Sequence, residues 1–266
     1  MKIFKNKHKL YNEIINDKFI SFVPTMGGLH KGHISLIKKS KKFKGKILVS
    51  IFVNPKQFDK KKDFNNYYRN IKKDLKVLKK LNIDYVYLPN IKDIFSFRTK
   101  NKVYLDKFSN KLCGKFRIGH FKGVVDVINR FLEIIKPKFI FLGIKDFQQL
   151  YLIKKHILKR KIPTKVISCK IVREKNGIAC STRNKNLNQK HLKIASKIYK
   201  YLSKVKRGSY KKVSNIKGDI MNFGVKKIDY LEFYNLKTLN KSNKINKNNK
   251  IFIAYYLGHT RLIDNI

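Results

Sequence analysis

The stretch that most constrains this chain runs from Phe19 to Ile37. Phe19-Ile20-Ser21-Phe22-Val23 is a short, β-rich apolar run that reads as a buried strand. Pro24-Thr25-Met26-Gly27-Gly28-Leu29-His30-Lys31-Gly32-His33 follows. Ile34, Leu36 and Ile37 then lead into a lysine-rich segment with one apolar edge, the pattern of a helix. A strand, a glycine turn and a helix start therefore succeed one another within a few residues. Glycine lets the backbone approach a ligand closely, and a helix N-terminus turns unbonded N–H groups toward an anion. His30 and His33, three apart, are expected to face that point together, where imidazoles stabilise charge developing on a phosphate. Two histidines beside a tight turn are as often plain surface residues, and the strand–turn–helix context is what selects the site reading.

Size and composition bound the rest. The chain has 266 residues, enough for one large domain or two modest ones with a real core. Its 42% hydrophobic content excludes a disordered basic tail. No apolar run has the length of a membrane span, and the first residues carry no apolar core of signal-peptide length. Cys113, Cys169 and Cys180 are odd in number and widely spaced, so they predict neither a disulfide framework nor a protein-built metal site, and they suit a reducing cytoplasm. The formal net charge of +48 invites a nucleic-acid reading. Lysine is spread along the whole chain rather than gathered in an arm, however, and Lys, Asn and Ile are abundant together, as in AT-biased coding. The charge is therefore read as drift on solvated faces, with non-specific adhesion to polyanions but no specific nucleic-acid partner.

Taken in order, the chain alternates strands and helices. Lys46–Val53 reads as a second buried strand ending at Asn54-Pro55, which places Asn54 and Gln57 at its carboxyl end, where open α/β sheets bind ligands. Apolar positions 71, 75, 78 and 81 give a helical stripe within 64–81, and residues 83–88 give a short strand. Gly119–Gly123 introduces a helix that Pro137 ends, and residues 138–142 form the next strand. That strand runs into Gly143-Ile144-Lys145-Asp146-Phe147-Gln148-Gln149, where Lys145 is a candidate phosphate cation, Asp146 a helix N-cap and Gln149 a second substrate amide. Residues 165–168 complete a doubly wound, mostly parallel sheet of Rossmann-like type. Beyond it, residues 171–180 read as a hairpin turning at Asn176-Gly177, followed by Ser181-Thr182-Arg183, a donor set suited to phosphate oxygens. Two helices within 189–224, strands at 229–234 and 251–256, and a polar loop from Asn240 to Lys250 predict a smaller α+β domain. The expected division is 1–170 and 171–266.

Together these segments resemble the pantoate–β-alanine ligase family, one of the nucleotidyltransferase-like groups with a His-x-Gly-His turn. The resemblance is carried by Pro24-Thr25-Met26-Gly27 with His30-x-Gly32-His33, by Phe52–Phe58, by Gly143-x-Lys145-Asp146-x-Gln148-Gln149, by Gly177–Asn184, and by Leu257-Gly258 with the ending Arg261–Asn265. It spans nearly the whole chain, in order. It implies ATP-dependent condensation of (R)-pantoate with β-alanine to pantothenate, with AMP and diphosphate released, through a pantoyl adenylate, in coenzyme A biosynthesis. It implies an ATP- and pantoate-binding catalytic domain at 1–170, a C-terminal lid at 171–266, a homodimer, and Mg²⁺ arriving with ATP. By the same resemblance His33 is the proton donor, with His30 and Lys145 beside it. ATP is met by Met26, Gly27, Gly28, Leu29, His30, Lys31, Gly32, His33, Gly143, Ile144, Lys145, Asp146, Val172, Cys180, Ser181, Thr182 and Arg183. Pantoate and β-alanine are met by Gln57, Gln149 and Asn54.

The chain departs from the family pattern at Ile144, usually glutamate, at Thr182, usually serine, at Lys73, often acidic, and at Cys113 and Ile118. These positions border the chemistry and leave the reaction class untouched. A different adenylyl-transferring enzyme with the same turn would lack the glutamine pair, a charge-driven nucleic-acid binder would gather its lysines on one face, and a decayed enzyme is opposed by the intact motif residues.

Overall fold

The fold follows from strands that are apolar on both sides. A computed structural model describes every residue except 209–211, 244, 246 and 247. The chain divides into two compact units, Met1–Lys170 and Ile171–Ile266. In the first, strands β1 (Lys2–Phe4), β2 (Ile20–Thr25), β3 (Lys46–Ile51), β4 (Tyr85–Tyr87), β5 (Phe139–Gly143) and β6 (Lys165–Cys169) form one parallel sheet in the order β1-β4-β3-β2-β5-β6. Helices α1 (Lys7–Ile14), α2 (Lys31–Ser40), α3 (Lys61–Asn65), α4 (Ile71–Lys80), α5 (Ile91–Phe95), α6 (Cys113–Phe116), α7 (His120–Ile135) and α8 (Phe147–Lys159) connect the strands.

Strand side chains alternate between two cores. Ile20 and Phe22 of β2, Leu48 of β3 and Ile140 and Leu142 of β5 join one cluster with the inner faces of α7 and α8. Val23, Val49 and Phe141, their immediate neighbours in sequence, join another with Leu36 and Ile37 of α2 and Leu78 of α4. A sheet covered on both faces is what a continuous apolar run requires of a strand, and it accounts for the doubly wound arrangement that the alternation predicts.

The order of strands fixes where a ligand can sit. From β2 the chain winds outward through β3 and β4, and then returns to place β5 on the other side of β2. β2 and β5 pair only at Ser21–Phe139 and Phe22–Ile140, so pairing stops well short of the carboxyl ends of both strands. That reversal is the topological switch point at which open α/β sheets leave a crevice. The three central strands β3, β2 and β5 deliver to this one edge the segments that follow them: Asn54–Gln57, Met26–His33 and Gly143–Gln149.

The second unit contains α9 (Gln189–Gly208), α10 (Val213–Asn222) and an antiparallel sheet of β7 (Lys227–Asn235), β8 (Lys241–Ser242), β9 (Asn249–Leu257) and β10 (Thr260–Asn265), in the order β10-β9-β7-β8. Ile198 and Leu202 of α9, Ile216 and Ile220 of α10, and Leu231, Phe233 and Ile253 of the sheet form its core. The turn at Asn176-Gly177 is present, with Gly177 at φ 89° and an antiparallel bridge from Arg173 to Ala179. Arg173 binds Asp264 of β10 at 2.6 and 3.0 Å and stacks 4.1 Å from the Tyr199 ring, which anchors the hairpin to the last strand.

Some expectations are corrected. The stripe over 64–81 is two helices, because Asn70 breaks it and caps α4 by accepting from the Lys73 amide. β1 and α1 arise from a stretch whose sequence carries no strong periodicity. Asp146 stands at the entry of α8 without capping it, its carboxylate lying instead 3.5 Å from the Lys145 ammonium. The polar loop at 240–250 contributes β8 and the start of β9, while its residues 244, 246 and 247 lie outside the described residues.

His156 of α8 gives the first unit a measurable pH dependence. It is fully buried, accepts from the Tyr104 amide at Nδ1 (3.1 Å), and meets Asn129 Oδ1 at Nε2 (3.0 Å). Asn129 passes the connection on to the carbonyl of Asn101. That geometry requires the neutral imidazole, and burial, then Arg160, pushes its pKa down to about 4. The unfolded chain takes up this proton near pH 6.5, so stability falls as pH drops from 6.5 toward 4, by on the order of 3 kcal/mol in full. Urea midpoints at pH 7 and pH 5 check this: the midpoint is expected to be lower at pH 5, with a smaller difference in His156→Gln. A midpoint independent of pH over that window contradicts it.

Candidate active site

The turn after β2 is built around one carboxylate. Gly27 and Gly28 have φ of 77° and 63°, a backbone path that glycine takes without strain. Asp74 of α4, only 3% exposed, accepts from the Gly28 amide through Oδ2 and from the Leu29 amide through Oδ1, each at 2.8 Å. A Cβ on Gly27 would lie 2.9 Å from Asp74 Oδ2. Thr25 Oγ1 donates to the Ser50 carbonyl at 2.7 Å and accepts from the Gly27 amide at 3.2 Å, tying the turn back to β3.

The turn before the helix keeps its amides for the protein, and one amide of the helix N-terminus is also engaged. The Gly27, Gly28 and Leu29 amides are committed to protein oxygens, and the Gly32 amide donates to His30 Nδ1 at 3.1 Å. The turn's contribution is to aim the histidines. His30 caps α2, and its ring lies 4.0 Å from that of His33, inclined by 32°.

His33 keeps some exposed surface, but its Nδ1 is buried and has no hydrogen-bonding partner among the described residues. Burial, then the neighbouring His30 and Lys145, push its pKa down to about 3. The ligand-free protein therefore holds a neutral His33 at physiological pH. The residue expected to be the proton donor is thus an uncharged imidazole in the ligand-free protein.

The adjacent strand ends divide their polar residues between scaffold and site. Asn54, expected to touch substrate, is 1% exposed, and its amide is engaged by the protein: Nδ2 donates to the Gly123 carbonyl at 3.0 Å and to Gln57 Oε1 at 3.3 Å, while Oδ1 accepts from the Lys56 amide. Its place is behind Gln57. Gln57 is half-buried and directs Nε2 to Met26 Sδ at 2.7 Å, which joins the ends of β3 and β2. At the end of β5 the paired glutamines separate. Gln148 is buried and holds the carbonyls of Phe108 and Lys111 and the amide of Cys113, whereas Gln149 is half-exposed with no side-chain hydrogen bond among the described residues. A Cβ on Gly143 would meet nothing within 4 Å, so the backbone here is open to a ligand. Lys145 follows in a short 3-10 turn over Ile144–Asp146, and Ile144 packs against the core.

Val172 and Cys180–Arg183 belong to the second unit. The Cys180 amide donates to the Val172 carbonyl at 2.9 Å and its thiol lies 3.2 Å from Glu174 Oε1, so these two residues are engaged with their own hairpin. Ser181 caps the 3-10 turn Thr182–Asn186 by accepting from the Arg183 amide. Asp74 was not among the expected site residues. Its signal was an acid placed among the apolar positions Ile71, Leu75 and Leu78, in a chain with 16 acidic residues against 64 basic ones.

Comparison with known proteins identifies the family. A family model described as Pantoate-beta-alanine ligase matches residues 2–266. A pantothenate synthetase of Fervidobacterium nodosum is 40% identical over 97% of this chain and 95% of its own length. The crystal structure of the Francisella tularensis pantoate-beta-alanine ligase, complexed with beta-gamma ATP and beta-alanine, is 38% identical with a TM-score of 0.85, covering 100% of this chain and 97% of that one. A Thermus thermophilus pantothenate synthetase structure is 27% identical with a TM-score of 0.90, covering 100% of this chain and 99% of its own.

The buried carboxylate gives a direct test of the turn. Asp74→Asn replaces one acceptor by a donor facing the Gly28 or Leu29 amide, and is expected to cost about 1–3 kcal/mol of stability. Asp74→Leu, which leaves both amides unpaired, should cost more. Equilibrium denaturation measures both, and losses below about 0.5 kcal/mol would show that the turn holds without this residue.

Proposed function

This chain belongs to the pantoate-beta-alanine ligase family, and we propose that the Met26–His33 turn, Lys145, Gln57 and Gln149 carry the family's reaction in it. The protein is an ATP-dependent ligase that condenses pantoate with β-alanine to pantothenate, releasing AMP and diphosphate, through a pantoyl adenylate. The observation that carries the residue assignment is a neutral His33 stacked on His30 and sensing the charge of Lys145, at the switch point of the sheet.

In the first step a pantoate carboxylate oxygen bonds to the α-phosphorus of ATP, and the bond to the departing diphosphate breaks. Negative charge accumulates on the phosphoryl oxygens, and donors fixed in advance stabilise it without reorganising. His33 donates a hydrogen bond there, and the incoming anion raises its pKa, so that His33 gains charge when it is needed. Lys145 supplies a fixed positive charge. Gln57 and Gln149 each offer a donor and an acceptor to a substrate bearing hydroxyl and carboxylate groups. The thioether of Met26 is a weak acceptor for Gln57 Nε2, so a substrate oxygen displaces it at little cost. In the second step the β-alanine amine bonds to the acyl carbon, the bond to AMP breaks, and the amine loses a proton.

Met26–Lys31, Gly143, Ile144, Asp146, Val172 and Cys180–Arg183 complete the assignment to ATP. Mg²⁺ belongs with the nucleotide. Among the described residues no three ligating side chains cluster, Asp74 already serves two amides, and Asp146 is paired with Lys145. These residues suit an ion held by phosphate oxygens and water, which neutralises polyphosphate charge. The proposal is completed by a homodimer, a cytoplasmic setting in keeping with three buried cysteines outside any disulfide, and no specific nucleic-acid partner. No helix among the described residues is long and apolar enough to cross a membrane.

Pantoate-dependent exchange of labelled diphosphate into ATP, with β-alanine omitted, tests the assignment. The chain is expected to support exchange, and His33→Ala and Lys145→Ala are each expected to reduce it by about 10²–10³ while remaining folded. Exchange that survives both substitutions would move the adenylation chemistry to other residues.

A further inference from the structure

Gln57 is held by its backbone as well as by its side chain. It closes the 3-10 turn Pro55–Gln57, and its carbonyl accepts two side-chain donors from the segment entering α7: His120 Nδ1 at 2.6 Å and Arg117 Nη2 at 3.1 Å. Arg117 Nη1 also donates to His120 Nε2 at 3.0 Å. Because a guanidinium only donates, that contact makes Nε2 the acceptor and puts the imidazole proton on Nδ1, facing the Gln57 carbonyl. Arg117 Nε completes the arrangement with an ion pair to Asp59 Oδ1 at 3.1 Å, and the Arg117 and Asp59 side chains are 13% and 25% exposed. The same loop presses on α7 directly, since a Cβ on Gly123 would stand 2.1 Å from the Lys56 carbonyl oxygen.

The carbonyl thus has two side-chain donors, while the side-chain amide of the same residue reaches Met26 in the turn after β2. We propose that Arg117 and His120 are positioning residues for the acyl substrate, setting through the Gln57 carbonyl the place at which the Gln57 amide meets pantoate. This rests on the reading of Gln57 as a pantoate contact. The contacts of Arg117 and His120 described above converge on Gln57 and Asp59, so their effect is expected on the acyl substrate rather than on ATP. An amide displaced by about 1 Å from its partner loses most of a hydrogen bond, and reaction rates are sensitive to displacements of that size.

Steady-state kinetics of the full-length enzyme, with pantoate and ATP varied separately, test the proposal. His120→Leu is expected to raise KM for pantoate about tenfold while KM for ATP stays within about twofold, as the loss of one well-placed hydrogen bond implies. His120→Asn, whose amide nitrogen stands where Nδ1 does, should recover most of the loss. Arg117→Lys keeps a cation toward Asp59 but loses the fork, and should show the same split in a variant that retains the ion pair. In a Gln57→Ala background, which itself raises KM for pantoate, His120→Leu should add nothing. Equal rises in both KM values, or effects that multiply in the double variant, would overturn the proposal by showing a general structural role. If Gln57→Ala impairs pantoate use and His120→Leu does not, the positioning claim alone falls. If Gln57→Ala leaves KM for pantoate unchanged, the claim falls together with the acyl-site reading on which it rests.

Discussion

The carboxylate of Asp74, buried between α4 and the end of β2, is the constraint on which the site depends. It takes one amide from Gly28 and one from Leu29, and so converts a pair of glycines in left-handed conformation into a single fixed path. A buried carboxylate needs such donors, because an unpaired charge away from water is costly. The turn in turn needs the carboxylate, because its amides would otherwise be left unbonded in a place that Ile51 and Thr25 close to solvent. The turn so fixed leads into the capping position of His30 and the stacking of His33 against it, and burial, then His30 and Lys145, give His33 its low pKa. The free protein thereby keeps a neutral His33 stacked on His30, within reach of the charge of Lys145.

The sheet supplies the rest by geometry. Strand order puts the reversal between β2 and β5, and the two strands part before their carboxyl ends, so the polar segments that follow β3, β2 and β5 emerge along one edge. The segments after β3 and β5 divide their polar residues the same way, with one amide buried and holding the backbone while the other keeps exposed surface. Asn54 stands behind Gln57, and Gln148 stands behind Gln149. An amide side chain does either job equally well, since it both donates and accepts, and burial alone decides which.

That last point also explains what could be read from the sequence. The central strands were legible because a strand covered on both faces must be apolar throughout, and helix α7 because its stripe is long and glycine marks its start. Separate motifs at matching spacing made the family resemblance legible as well. Strand β1 was not, since three residues with lysine first carry no pattern, and it forms because Tyr85–Tyr87 offers it a parallel partner. Asn54 and Asp146 were placed wrongly for one shared reason. A polar residue at a strand end or a helix entry can turn toward ligand, backbone or a neighbouring charge, and local sequence does not distinguish these. Asp74 was missed because a helical stripe is judged by its apolar members, although a lone acid inside that stripe in so basic a chain was the available sign.

The ionisation of His33 tests the account most directly. Nitrogen NMR of ring-labelled protein can follow its titration alone and with a non-hydrolysable ATP analogue. The account predicts a His33 that stays neutral from pH 8 down to about pH 5 in the free protein, in line with a pKa near 3, and whose pKa rises on addition of the analogue. A His33 that titrates near 6.5 in the free protein, and does not move when the analogue binds, would contradict it.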